Sequence, residues 1–306
     1  MTSLPLVGSR VRIRYRLPAG TTPPMADVIG ELRAAHPVIV VRTKSDGLVE
    51  VRPDDVVAVR ELSVVPVRAS EIRAVEHAAA LAWPGTEQSW QDGWLLRAGG
   101  GYTSRANSAV PLSFWATTAT IPAIIDWYRE RELTPWLALP ERLLPIRADG
   151  VKHTRVMVTD LAETEPEPAV TLLGSPDAAW LACYERDVPA DVLTAVVDGE
   201  AVFAAAREPG GRDAAAARGA ITDAPDGTRW LGISAVHVGA EQRRRGHARR
   251  LCLALQAWGV QHGATRVYVQ VLSENTGAIT LYHSLGFRLH HHHRYVDARS
   301  LTTRTL

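Results

Sequence analysis

Apolar and polar residues alternate at a period of two through about Val67, in the runs Arg10 to Leu17, Asp27 to Arg33, Pro37 to Arg42, Leu48 to Arg52 and Val56 to Leu62. This period puts successive side chains on opposite faces of a strand, and several short strands separated by turns predict a small antiparallel barrel of SH3-like type over residues 1–67. In the first run Val11, Ile13, Tyr15 and Leu17 share one face and Arg10, Arg12, Arg14 and Arg16 the other. The arginine stripe reads as a solvated outer face neutralised by Asp46, Glu50, Asp54, Asp55 and Glu61, although such a stripe can also meet nucleic acid or an acidic partner.

A second block, residues 68–165, mixes both periods. Ser70 can cap a helix carrying Ile72, Val75 and Ala79, which Pro84-Gly85 stops. Gly93 to Arg97 and Arg105 to Val110 flank Ala98-Gly99-Gly100-Gly101, a hairpin turn rather than a phosphate loop, since no helix follows it. A helix near Ile121 to Arg131, a strand near Pro135 to Leu139, a short helix, Gly150 and a strand from Val151 to Thr159 complete the block.

The third block, residues 166–306, follows the acidic, proline-bearing joint Glu163 to Pro168. Ser175-Pro176 opens a helix through Tyr184. Strands are expected at Leu193 to Val197 and Ala201 to Ala206 around the turn Asp198-Gly199, then a mobile loop from Pro209 to Ala217. The strand Leu231 to Val238 leads through an arginine-rich turn to the helix Arg249 to His262, whose Leu251, Leu255 and Trp258 form a plain core stripe. The strand Arg266 to Leu272, a helix from Asn275 to Gly286 and a last strand end the block.

The chain has 306 residues and a formal net charge of +1, which gives no electrostatic case for a general nucleic-acid or membrane-surface binder. Two cysteines, Cys183 and Cys252, sit in apolar helical surroundings and argue against a disulfide scaffold or a cysteine metal site. No segment has the uninterrupted apolar run of a membrane span and the N-terminus carries no leader pattern, so the chain reads as intracellular, in the cytoplasm.

Two segments carry the chemistry. Gln242-Arg243-Arg244-Arg245-Gly246-His247-Ala248 lies between a strand and a helix, where unpaired backbone N–H groups and the helix dipole favour an anion. Further on, Asn275, Ala278 and Tyr282 share one helix face, with Leu281 and Leu285 on a flank suited to packing on a sheet. Together, Arg243-x-x-Gly246-x-Ala248 and Asn275-x-x-Ala278-x-x-x-Tyr282-x-x-Leu285-Gly286-Phe287 resemble the two cofactor motifs of the GNAT superfamily of N-acetyltransferases over roughly Val170 to Val296.

The resemblance implies an α+β or α/β chain in which the barrel precedes two GNAT-like mixed-sheet lobes, the C-terminal one binding acetyl-CoA. Helix, strand, helix, glycine and strand recur in residues 68–165 without the Arg-x-x-Gly-x-Ala turn, so that lobe is expected to wall the acceptor site, with Arg97, Tyr102, Arg105 and Asn107 as acceptor contacts. Amides from Arg244 through His247 to Ala248 are expected to cradle a pyrophosphate, with the side chains of Arg243, Arg244 and Arg245 adding charge. The family further implies that Val236 and Val238 pair with the pantetheine arm, that the Val238 N–H faces the oxyanion, that Asn275 bonds the pantetheine amide and that Tyr282 protonates the leaving thiolate.

The resemblance implies an amine acceptor, on a small molecule or a protein, that must lose a proton before attack. For this base His237, Ser234, Glu208, Glu241 and a water chain stay open, and strand alternation turns His237 away from Val236 and Val238. In the tract His290 to His293, alternation places His290 and His292 on one face and His291 and His293 on the other; without further donors this is not a zinc site, and no metal is expected. The rival class is a non-catalytic acetyl-CoA sensor whose barrel binds a protein or nucleic acid; the intact Arg243, Gly246, Asn275 and Tyr282 favour the enzyme.

Overall fold

The computed structural model describes residues 4–207 and 213–302. The chain divides into two compact units, Met1–Val67 and Arg68–Leu306. In the first, strands β1 (Arg10–Arg16), β2 (Met25–Ala34), β3 (Ile39–Thr43), β4 (Leu48–Val51) and β5 (Val56–Leu62) form one antiparallel sheet in the order β4-β3-β2-β1-β5. Val11 and Ile13 are buried with Val28, Leu32, Ile39, Val41 and Val51, as the alternation requires. On the arginine face Arg16 lies close enough to the expected Asp55 to lower its carboxyl, while other arginines find further partners. Arg12 pairs with Asp27 on the adjacent strand at 2.8 Å and Arg10 donates to the Ser63 carbonyl, whereas Glu61 is buried and accepts from Ser9 Oγ.

The second unit contains α1 (Ala69–Ala82), β6 (Glu87–Gln91), β7 (Trp94–Ala98), β8 (Val110–Pro111), α2 (Ile121–Arg129), β9 (Trp136–Pro140), β10 (Val151–Asp160), β11 (Val170–Leu173), α3 (Ala178–Tyr184), α4 (Ala190–Thr194), β12 (Glu200–Arg207), β13 (Asp213–Asp223), β14 (Arg229–Val238), α5 (His247–Gln261), β15 (Arg266–Leu272), α6 (Thr276–Ser284), β16 (Arg288–Asp297) and α7 (Arg299–Thr302). Eight strands make one mixed sheet in the order β11-β12-β13-β14-β15-β10-β16-β9, in which β14 and β15 are the parallel pair. β10 lies between β15 and β16, and β9 closes the far edge, so residues on both sides of position 165 build a single sheet.

Local chemistry explains where elements differ from expectation. α1 is capped by a hydrogen bond from the Arg68 amide to Glu71 rather than by Ser70, and α3 by the Asp177 carboxylate, which accepts from the Trp180 amide at 2.8 Å. β7 pairs with β6 across Asp92-Gly93, and the expected partner run supplies only Val110–Pro111; no helix forms between β9 and β10. Leu193 lies in α4, behind Pro189, rather than in a strand. Ala214 to Ala217, expected in a loop, are buried in β13, while residues 208–212, with Glu208, lie outside the described residues. The small side chains of β13 leave room for bulky neighbours on both faces: Ala216 and Ala220 pack with Trp180 and Phe203, and Ala215 and Ala217 with Leu251 and Leu255.

Candidate active site

The site begins where two parallel strands part. β14 and β15 pair from Trp230 with Arg266 to Ile233 with Val269. Beyond Ile233, β14 stays with β13 and β15 stays with β10, so a gap opens between them. A bulge helps: the β13–β14 register jumps between Arg218 with Ser234 and Ala216 with His237, and Ala235 has φ 52°. Val236 and Val238 pack on one core, as the alternation requires, and with His237 between them they line the resulting cleft of about 1200 Å³. His237 Nε2 stands 3.4 Å from a Glu185 oxygen.

Below the strand end, Arg244 and Gly246 both adopt the left-handed conformation, with φ 65° and 84°. Alternating left-handed residues turn successive amides toward one point, and those of Arg244, Arg245 and Gly246 donate to no backbone carbonyl among the described residues. A Cβ built on Gly246 would meet no atom within 4 Å, so the space before the amino end of α5 is open. Arg243, Arg244, Gly246, His247 and Ala248 line the cleft; Arg245 does not. This combination of free amides, cations and room fits a diphosphate.

α6 forms the opposite wall. Asn275 caps it, accepting from the Ala278 amide at 3.1 Å, and Asn275, Ala278 and Tyr282 all line the cleft. Tyr282 is 6 % exposed, with its ring 5.6 Å from that of Phe287, and burial pushes its phenol well above the usual range. Its hydroxyl makes no hydrogen bond to another described residue. Cys252 of α5 is buried nearby, where desolvation raises its thiol to about 12 and leaves it inert.

The remaining wall comes from residues 83–105, β10, β15 and β16, and includes Trp83, Tyr102, Arg105, Lys152, Gln270 and His293. Arg105 donates from Nε to Gln270 Oε1 at 2.9 Å and from a guanidinium nitrogen to the Gln270 carbonyl at 3.0 Å, which fixes the loop to β15 just past the parting point. Lys152 bonds Ser104 Oγ. Trp83 donates to Ser234 Oγ, and the guanidinium of buried Arg218 stacks 4.6 Å from its ring centre while bonding the carbonyls of Leu193 and Ala195.

Two expected acceptor contacts are placed elsewhere. Arg97 is buried and spends its donors on the Ser108 carbonyl, Ser108 Oγ and the Trp83 carbonyl, and Asn107 accepts from the Gly99 and Gly101 amides. Both shape the loop and neither lines the cleft. Of the residues considered as base, Ser234 and His237 line it and Glu241 does not. Sequence reasoning did not single out Trp83, Lys152 or Gln270, which no local motif marks.

Residues 69–296 match the family model described as "Probable histone acetyltransferase Rv0428c C-terminal", and residues 5–60 match "Rv0428c N-terminal Sm-like domain". The chain is 51% identical over 304 residues, 98% of each chain, to "Probable histone acetyltransferase Rv0428c" of Mycobacterium tuberculosis. It is 24% identical over 257 residues, 74% of this chain and 98% of the other, to "Uncharacterized N-acetyltransferase YobR" of Bacillus subtilis. A GCN5-related N-acetyltransferase from Kribbella flavida shares the fold, with a TM-score of 0.53 at 16% identity, over 76% of this chain and 95% of that one. The chain is thus a GNAT-family acetyltransferase with an N-terminal Sm-like domain. Within that superfamily it belongs to the family of the mycobacterial protein. Among the described residues no helix is long and apolar enough to cross a membrane.

Proposed function

We propose that the cleft transfers an acetyl group from acetyl-CoA to a primary amine by direct attack, with both substrates bound together. The observation that carries this reading is the parting of β14 from β15 directly above the free amides of Arg244 to Gly246, with Tyr282 on the facing helix. The amides and the side chains of Arg243 and Arg244 would hold the diphosphate, and the backbone of Val236 and Val238 would pair with the pantetheine arm. Bound acetyl-CoA supplies an activated acyl thioester. Asn275 would bond the arm, the Val238 N–H would face the oxygen on which charge develops, and Tyr282 would give the departing sulfur its proton.

The mycobacterial relative's name points to lysines of a basic protein as acceptors. The lining favours a different class: beyond the diphosphate end it carries Arg105, Lys152 and Arg186, and no aspartate or glutamate among the described residues. A lysine flanked by other cations would meet like charge there, so the acceptor is read as an amine whose remaining groups are neutral or anionic. Thiol release from acetyl-CoA, measured across amino acids, their methyl esters, polyamines and a lysine-rich peptide, tests both parts. No release with any amine would remove the transferase reading, and preference for the lysine-rich peptide would overturn the acceptor class.

A further inference from the structure

A buried polar cluster backs the acceptor wall and holds neither substrate in the reading above. Glu76 of α1 is 4 % exposed, His291 0 % and His293 4 %. Glu76 Oε1 lies 2.8 Å from His291 Nε2 and 3.1 Å from His293 Nδ1, and His290 Nδ1 lies 2.8 Å from His291 Nδ1. Burial opposes ionisation of Glu76, but the hydrogen-bonding contacts of His291 and His293 outweigh it, so the carboxyl is held well below its usual range. Burial holds His290 down to about 3 and lowers His291 as well.

A proton arrangement with His293 neutral satisfies every contact. An ionised carboxylate only accepts, so His291 Nε2 and His293 Nδ1 both carry hydrogen. Neutral His291 is then bare at Nδ1, and His290 donates to it. His293 is left with a bare Nε2, which bonds no described residue. His293 belongs to the cross-strand row Leu272, Thr154, His293, all three of which line the cleft. The charged and titratable groups around it are Glu76 from α1, Arg105 from the loop before β8, Lys152 from β10, and His291 and Tyr295 from its own strand.

We propose that His293 is the general base of the transfer and that Glu76 is its positioning residue; this rests on the acetyl-transfer reading. His293 Nε2 takes one proton from the acceptor ammonium and becomes an imidazolium paired with the Glu76 carboxylate. The freed lone pair forms the N–C bond while the C–S bond breaks. The sulfur leaves with the electron pair and takes the Tyr282 proton, and the phenolate recovers one from the new amide nitrogen. The net proton stays on His293 until it passes to solvent. A carboxylate that fixes one ring nitrogen and leaves the other bare is what makes an imidazole a competent base.

The test compares wild type, His293→Gln and Glu76→Gln by thiol release over pH 5.5 to 9, with acetyl-CoA affinity by calorimetry. His293→Gln is expected to lower kcat about 100-fold and to lose the rise of rate with pH, with acetyl-CoA affinity unchanged and partial rescue by added imidazole. Glu76→Gln is expected to lower kcat about 10-fold without changing acceptor KM. A wild-type pH profile in His293→Gln would overturn the proposal. Should that variant fail to fold, histidine ¹⁵N spectra of the wild type decide: a neutral His293 protonated on Nδ1 supports the assignment, and one protonated on Nε2 overturns it. Absence of turnover in the wild type would instead count against the transferase reading.

Discussion

Trp83 donates its indole N–H to Ser234 Oγ at 3.1 Å, and this bond ties the end of α1 to β14 where that strand leaves β15. Trp83 is 3 % exposed, so Trp83→Phe removes a buried donor and leaves the Ser234 hydroxyl short of a partner. The expected cost is about 1–2 kcal/mol of stability by urea unfolding, with a raised acceptor KM.

Gly246→Val places a β-branched residue at φ 84°, where no neighbour clashes but the backbone itself is strained. The turn is expected to relax and scatter its amides, weakening coenzyme A binding about tenfold by calorimetry while the melting temperature moves little.

Arg105→Leu removes two hydrogen bonds to Gln270 and one of the cations of the acceptor wall. Acceptor KM should rise about tenfold, equivalent to about 1.4 kcal/mol, for carboxylate-bearing amines, and less for their methyl esters. Equal effects on both would assign Arg105 to loop anchoring alone. Acetyl-CoA KM should not change.

His290, held at about 3 in the folded protein, stays neutral where an unfolded histidine would begin to charge. Below the ordinary imidazole value the unfolded chain therefore binds the extra proton, and stability falls as pH falls from about 6.5 toward 3. Between pH 7.5 and 5.5 this one group is expected to cost about 1 kcal/mol, and His290→Gln should flatten the slope of urea-unfolding stability by about that amount.

Much of the cleft around the arginine turn and α6 was legible because its pattern is local. Gly246, Asn275 and Tyr282 stand at spacings set by one turn and one helix, and the structure brings them to one cleft. The remaining wall of the cleft was not legible, because it is assembled across the chain: Arg105 reaches Gln270, Trp83 reaches Ser234, and Glu76 reaches His291 and His293. Strand alternation did place Val236 and Val238 together on the core face, apart from His237. Alanines of β13 read as loop because small side chains give no periodic signal, although their smallness is what admits Trp180 and Leu251. The boundary placed at 165 followed the acidic joint, whereas the strands on either side enter one sheet.

Tyr282→Phe gives the most direct trial of the transfer reading, since Tyr282 lines the cleft and its hydroxyl bonds nothing else described. Thiol release and coenzyme A calorimetry, run on wild type and variant with an amine that the wild type uses, should show turnover down at least 100-fold with affinity within about twofold. Unchanged turnover in the variant, or a wild type that binds acetyl-CoA yet releases no thiol with any amine, would contradict it.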